Sequence, residues 1–268
     1  MPRRTRLDAE LVRRGLARSR EHASQLIADG RVTVRGTVAG KPATAVETDA
    51  AVVVRELDDD PDWASRGAHK LIGALDRFPI QVTGRRCLDA GASTGGFTDV
   101  LLRRGASHVV AADVGRGLMV WRLRTDERVT VLDKTNVRAL TPEQTGGPVD
   151  LVVADLSFIS LRLVLPALLA CTADDADLVP MVKPQFEVGR DRLGSGGVVR
   201  DPALRADAVR SVLASAAELG LRAHGAVASP LPGPSGNVEF FIWLRRGNPL
   251  DESAVTEIVE IAVREGPQ

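Results

Sequence analysis

Cysteine is nearly missing from this chain of 268 residues, which carries it only at Cys87 and Cys171. Two cysteines build neither a disulfide framework nor a zinc site of the usual spacing, so no metal is expected. Both sit in apolar surroundings and read as small core residues, not as nucleophiles. Tyrosine is absent and lysine is scarce, confined to Lys41, Lys70, Lys134 and Lys183. In a chain that favours arginine so strongly, a lysine marks a place calling for a compact or titratable cation. A membrane helix is missing as well: the longest apolar stretch, 151–171, contains Asp155 and Arg162 and is broken by Pro166. The first ten residues are charged but lack the apolar centre of a signal peptide, so the expected location is cytoplasmic, with no membrane partner.

Net charge is also missing, with 35 basic residues balancing 35 acidic ones. The zero is partly a cancellation. Residues 1–45 hold ten Lys/Arg against four Asp/Glu, and residues 46–62 hold one against seven. A basic head is thus followed by an acidic connector. In the head, Leu7, Leu11, Val12 and Leu16 form a helical stripe. Ser19 reads as the cap of a second helix, which Gly30 closes. Short strands are expected at 31–34 and 51–54, with a tight turn at Arg35-Gly36. Two helices and one small sheet follow. Arg3, Arg4 and Arg6 precede the first helix, Arg14, Arg18 and Arg20 bracket the joint, and Lys41 lies in a turn. Such a cluster neutralises phosphates or simply forms a solvated face, and charge alone does not choose.

The rest of the chain alternates between strand and helix patterns. Strands are expected at 86–90, 109–113, 129–132, 151–155, 178–182, 223–229 and 239–244. Helices are expected at 71–78, 94–104, 159–171, 202–219 and from 251 onward. Repeated βα units imply a mostly parallel sheet covered on both faces, with ligands at the carboxyl ends of its strands. The first of these strands runs into Asp89, then Gly91, Ser93, Thr94, Gly95, Gly96 and Phe97. This is a glycine-rich turn without the Gly-Lys-Ser/Thr ending of a nucleotide-triphosphate loop. The next strand ends in Asp113, where a carboxylate can hold ribose hydroxyls. The third is followed by Lys134-Thr135-Asn136, whose polar groups can read an adenine edge.

These features resemble known families. The string RLDAELVRRGLARSREHASQLIADGRVTVRG, with Lys41-Pro42 after it, is similar to the S4 RNA-binding domain. The body resembles a Rossmann-like class I S-adenosylmethionine-dependent methyltransferase, and D-x-G-x-S-x-G-G-F resembles its FtsJ-like branch. That branch carries a Lys-Asp-Lys-Glu tetrad, and matching positions occur here at Lys70, Asp155, Lys183 and Glu239. The resemblance implies that they act on a ribose 2′-hydroxyl. Lys183 would serve as base or as stabiliser of the alkoxide, with the carboxylates orienting the lysines and Asp155 also bordering the cofactor. Phe158 can stack on a flipped base or pack in the core. Arg66, Arg138 and Arg190 are further basic candidates on that face.

Together with SRGAHKL, ADLSFISL, VKPQFEVG and SPLPGPSGNVEF, these strings resemble the TlyA family over nearly the whole chain. The resemblance implies an α/β methyltransferase at 61–268 behind a small α+β S4-like domain and connector at 1–60. It implies S-adenosyl-L-methionine as cofactor and 2′-O-methylation of cytidine in 16S or 23S ribosomal RNA, with ribosomal RNA or subunits as partner. The alternatives are a non-catalytic RNA-binding assembly factor and, from a second label of the family, a membrane-active haemolysin.

Overall fold

A computed structural model describes residues 4–17, 19–28, 30–54, 63–233 and 236–266, apart from the side chains of Gln25, Arg190 and Ser195. The chain divides into two compact units, Met1–Asp62 and Trp63–Gln268. The expected acidic run at 58–62 lies outside the described residues.

The first unit contains β1 (Arg4–Arg6), α1 (Leu7–Arg13), α2 (Arg20–Ala28), β2 (Val32–Val34), β3 (Thr37–Val38), β4 (Ala45–Glu47) and β5 (Val52–Val54). Leu7 and Leu11 of α1 and Ala23, Leu26 and Ile27 of α2 meet Val32 and Val46 in one small core. Ser19 Oγ accepts from His22 N at 3.1 Å, giving α2 its cap. Arg35 and Gly36 both have positive φ, +50° and +80°, as a two-residue hairpin between β2 and β3 requires. The unit holds two small sheets instead of the expected one. β1 pairs antiparallel with β4, while β2 lies between β3 and β5. Arg4 and Arg6, which precede the first helix as expected, therefore stand on a strand. Three-residue strands paired across some forty positions carry no readable period of their own.

The second unit contains α3 (Gly67–Arg77), β6 (Arg86–Ala90), α4 (Gly96–Arg103), β7 (His108–Ala112), α5 (Trp121–Arg124), β8 (Val129–Leu132), β9 (Val149–Ala154), α6 (Leu165–Ala170), β10 (Thr172–Val182), α7 (Pro184–Glu187), α8 (Pro202–Glu218), β11 (Leu221–Ala228), β12 (Phe240–Arg246) and α9 (Glu252–Glu265). Seven strands form one sheet in the order β11-β12-β10-β9-β6-β7-β8. β6 to β10 run parallel, and β12 is antiparallel to both of its neighbours. The order reverses between β6 and β9, which opens a crevice at their carboxyl ends.

β6, β7 and β9 are apolar almost throughout because both of their faces are covered. Leu88 and Ala90 join one core layer, with α6 and α8, while Cys87 joins the other, with α3 and α4. Asp89 shares the Cys87 face by the period of two. Asp201 and Asp251 cap α8 and α9, accepting from Ala203 N at 2.9 Å and Ala254 N at 2.8 Å.

Several boundaries differ from expectation; α3 begins at Gly67 and so includes Lys70, ahead of the expected start at 71. The helix expected over 159–171 is a 3₁₀ turn at Leu161–Leu163 followed by α6, with Pro166 in its first turn. β10 begins at Thr172, before the apolar run, with a register shift between Thr172 and Asp177 that accommodates the polar stretch. β12 begins one residue later than expected, so Glu239 stands just ahead of the strand.

Candidate active site

The carboxyl end of β6 turns sharply. Gly91 has φ +86°, and a Cβ there would collide with the carbonyl oxygen of Asp155. The backbones of the first and fourth parallel strands therefore touch at this point, where Asp155 N donates to Ala90 O at 3.0 Å. Ser93 continues the turn with φ +48°, and Gly95, with φ +100°, delivers the chain into α4 at Gly96. Thr94 O accepts from Val120 N at 3.2 Å.

Asp89 lies beneath this turn, fully buried. Its Oδ2 accepts from Thr98 Oγ1 at 2.7 Å, while Oδ1 has no hydrogen-bond partner among the described residues. Burial pushes its carboxyl up to about 7. Asp113 follows β7 and joins two loops, with Oδ2 accepting from Ser93 N at 2.8 Å and Oδ1 from Gly115 N at 2.7 Å. Asn136 follows β8, is exposed, and caps the 3₁₀ turn Val137–Ala139 by accepting from Arg138 N at 3.1 Å. Phe97 differs from the rest of this set. Its ring is buried against Phe241, 5.9 Å between centroids, so it supports the turn from the core and does not line it.

Next along the sheet edge come two ion pairs. Lys183, just past β10, places Nζ 2.5 Å from Asp155 Oδ1 and donates to Ser157 Oγ at 3.0 Å. Lys70, in α3, places Nζ 2.6 Å from Glu239 Oε2. Glu239 is fully buried, and Lys70 and Lys183 are only 8% and 7% exposed. Buried lysines of this kind need carboxylate partners to remain charged. The two pairs adjoin, because Val182 of β10 is in register with Phe240 of β12. Gln185 reinforces the second pair, Nε2 donating to Glu239 Oε1 at 3.3 Å. All four tetrad positions are thus brought together. Ser157 and Gln185 were not singled out from the sequence, although both stand in its motif strings, because a neutral side chain in a charged motif carries no signal of its own.

Phe158 follows Ser157. It is 91% exposed with φ +63°, so it is not a core residue. Arg66 and Arg138 are exposed on this unit. The side chain of Arg190 lies outside the described residues.

In the first unit, Arg3 and Arg18 lie outside the described residues, and Lys41 is exposed. Three acids there each hold two arginines. Asp8 accepts from Arg6 at 2.9 Å and Arg20 at 3.0 Å. Glu10 pairs with Arg13 at 2.5 Å and Arg14 at 2.7 Å. Glu47 pairs with Arg4 at 3.4 Å and also with Arg35. Each cluster keeps one surplus positive charge in a fixed place. The arginines beside them hold the Asp8 carboxyl well below the usual carboxylate range and bring Glu10 down to about 2. Arg14 departs from the expectation of an open phosphate contact. Its guanidinium also donates to the carbonyls of Ala50 and Thr48, at 2.7 and 2.9 Å, and ties α1 to the loop before β5.

Among the described residues no cluster of His, Cys, Asp or Glu could hold a metal, and no helix is long and apolar enough to cross a membrane.

The strand order, the glycine turn at the switch point and the polar edge beyond it define a class I methyltransferase fold. Residues 63–246 match the model of the FtsJ-like methyltransferase family, and residues 5–52 match that of the S4 domain. The chain is 61% identical to the 16S/23S rRNA (cytidine-2'-O)-methyltransferase TlyA of Mycobacterium tuberculosis over 100% of both chains. It is 35% identical to Hemolysin A of Brachyspira hyodysenteriae, covering 88% of this chain and 97% of that one. A solved Streptococcus thermophilus protein bearing a hemolysin label is 36% identical, with a TM-score of 0.77 over 99% of this chain and 97% of that one. This chain belongs to the TlyA family of FtsJ-like methyltransferases.

Proposed function

We propose that this protein transfers a methyl group from S-adenosyl-L-methionine to the 2′-hydroxyl of a cytidine in 16S or 23S ribosomal RNA. The observation that carries the reading is the adjoining pairs Lys183–Asp155 and Lys70–Glu239, set beside the glycine turn at the switch point. The name of the Mycobacterium tuberculosis relative supports the choice of substrate.

The residues at the turn fit the cofactor. Asp89 offers a buried acceptor with no partner among the described residues, Gly91, Ser93 and Thr94 leave backbone of the turn accessible, and Gly95 and Gly96 let the turn pack close against Leu123 and Ser65, so that all five would shape the cofactor's cradle. Asp113 would hold its ribose and Asn136 its adenine edge, with Asp155 bordering the reacting end. When bound, the cofactor supplies an electrophilic methyl group on a positively charged sulfur.

The chain's task is to hold a weak nucleophile in line. Lys183, held by Asp155, donates to the ribose oxygen and stabilises the negative charge that grows on it. Asp155, half-buried beside Lys183, would give the hydroxyl proton a path out to water as the oxygen takes up the methyl group that a bound cofactor would supply. Lys70, fixed by Glu239, positions the hydroxyl. Phe158 offers a ring face to the unstacked base. The S4-like unit docks on structured RNA through Arg4, Arg6, Arg20 and Lys41, with Arg66 and Arg138 contributing from the second unit. A cytoplasmic location follows from a ribosomal substrate.

Incubation with tritium-methyl cofactor and unmodified ribosomal subunits tests the reading. Label in ribosomal RNA supports it; bound but unlabelled RNA would instead favour the assembly-factor alternative.

A further inference from the structure

We propose that Glu187 is a positioning residue that holds the loop presenting Phe158, and so controls RNA binding without touching RNA. The inference rests on the reading of Phe158 given above and extends it to the residues behind it.

Phe158 is unusual in two ways. A large apolar ring is left 91% exposed, and its backbone has φ +63°, a left-handed conformation that disfavours any side chain with a Cβ. Such a residue persists only where its surroundings over-determine it. Here they do so on both sides along the chain. Just ahead, Ser157 Oγ accepts from Lys183 Nζ at 3.0 Å. Just behind, both carboxylate oxygens of Glu187 are engaged. Oε2 accepts from Ser160 Oγ at 2.6 Å, and Oε1 accepts from Leu161 N at 2.8 Å. Arg162 Nε stands 3.5 Å from Oε2.

The short helix α7 thus carries two supports in adjacent residues. Glu187, only 7% exposed, anchors the loop, and Phe186 sets its ring 5.3 Å from that of Phe158, inclined by 48°. Two rings this close admit no base between them, so a base stacks on the outer face of Phe158. Lys183 immediately precedes the same helix. One element therefore fixes the candidate catalytic ammonium at its start and the candidate stacking ring at its end. Glu187 is buried behind the loop with both carboxylate oxygens engaged, so it acts on RNA through the loop and not by direct contact.

The test uses the full chain with unmodified ribosomal subunits. E187A is expected to raise the KM for subunits about tenfold, the scale of one lost base–aromatic stack, with kcat and cofactor affinity nearly unchanged. E187Q, which keeps an acceptor for Leu161 N and can donate to Ser160 Oγ, is expected to restore most of the affinity. In an F158A background E187A is expected to add little, because the ring it positions is gone. An unchanged KM in E187A, or an equal rise in both backgrounds, would overturn the proposal. Should E187A fail to fold, S160A removes one anchor more gently and is read in the same cycle. If the wild type labels no ribosomal RNA, the proposed function fails, and that failure is separate from this one.

Discussion

At the scale of single residues, Lys183 and Asp89 give the sharpest expectations. Removing a preorganised donor from the place where charge develops costs about 10²–10³ in rate. K183A is therefore expected to lose about that factor in methyl transfer while binding ribosomal subunits as the wild type does; weakened subunit binding with intact turnover would contradict the assigned role. Asp89 offers a test in stability. Burial pushes its carboxyl up to about 7, against about 3.9 for an unfolded aspartate. The folded state thus holds this proton more tightly. The stability it contributes is full below about pH 4 and lost as pH rises through about 7. D89N removes that dependence, so it is expected to gain on the wild type in denaturant melts between pH 5 and pH 8; parallel curves would count against the buried carboxyl. The scarcity of lysine marked Lys70 and Lys183 only alongside Lys41 and Lys134, and the resemblance to the FtsJ-like branch is what set those two on a tetrad. Ser157 and Gln185 were not legible in the sequence, because only the fold brings them to Lys183 and Glu239.

At the scale of elements, α1 is held by its acids as much as by its apolar stripe. Glu10 is fully buried and grips Arg13 and Arg14. E10Q is expected to destabilise the first unit by about 1–3 kcal/mol near neutral pH, through loss of charged hydrogen bonds at a buried site. The folded carboxyl titrates at about 2, below its ordinary value, so this stability is present above the ordinary carboxylate range and lost as pH falls toward 2. Amide exchange in α1 and α2, followed from pH 7 downward, should show the variant and the wild type converging. The central strands were readable because strands buried on both faces are continuously apolar. The small strands β1 and β4 were not, since each depends on a distant partner that supplies its hydrogen bonds. The break at 161–164 was hidden for a different reason: an apolar run looks the same in a helix, a 3₁₀ turn or a strand.

For the whole molecule, the sequence pattern pointed to a mostly parallel sheet covered on both faces, because alternation of βα units admits few topologies, while its strand order and switch point came only with the fold. The antiparallel insertion of β12 between β10 and β11 was not legible, although it brings Glu239 beside Lys183. The zero net charge hides a division of labour. The first unit keeps three acid-centred arginine clusters with surplus positive charge, and counterion release from RNA makes such contacts steeply salt-dependent. Deleting residues 1–62 is expected to weaken subunit binding and flatten its salt dependence, while cofactor binding by the remainder persists. A truncated chain that modifies subunits as well as the full one would refute the division. The central claim is methyl transfer to a ribose in ribosomal RNA, and it is tested most directly by mapping 2′-O-methylation across 16S and 23S rRNA from cells with and without this protein. A cytidine whose 2′-O-methyl depends on the wild type and is absent with K183A is the predicted result. An unchanged ribose-methylation map, or a dependent methyl group on a base, would contradict it.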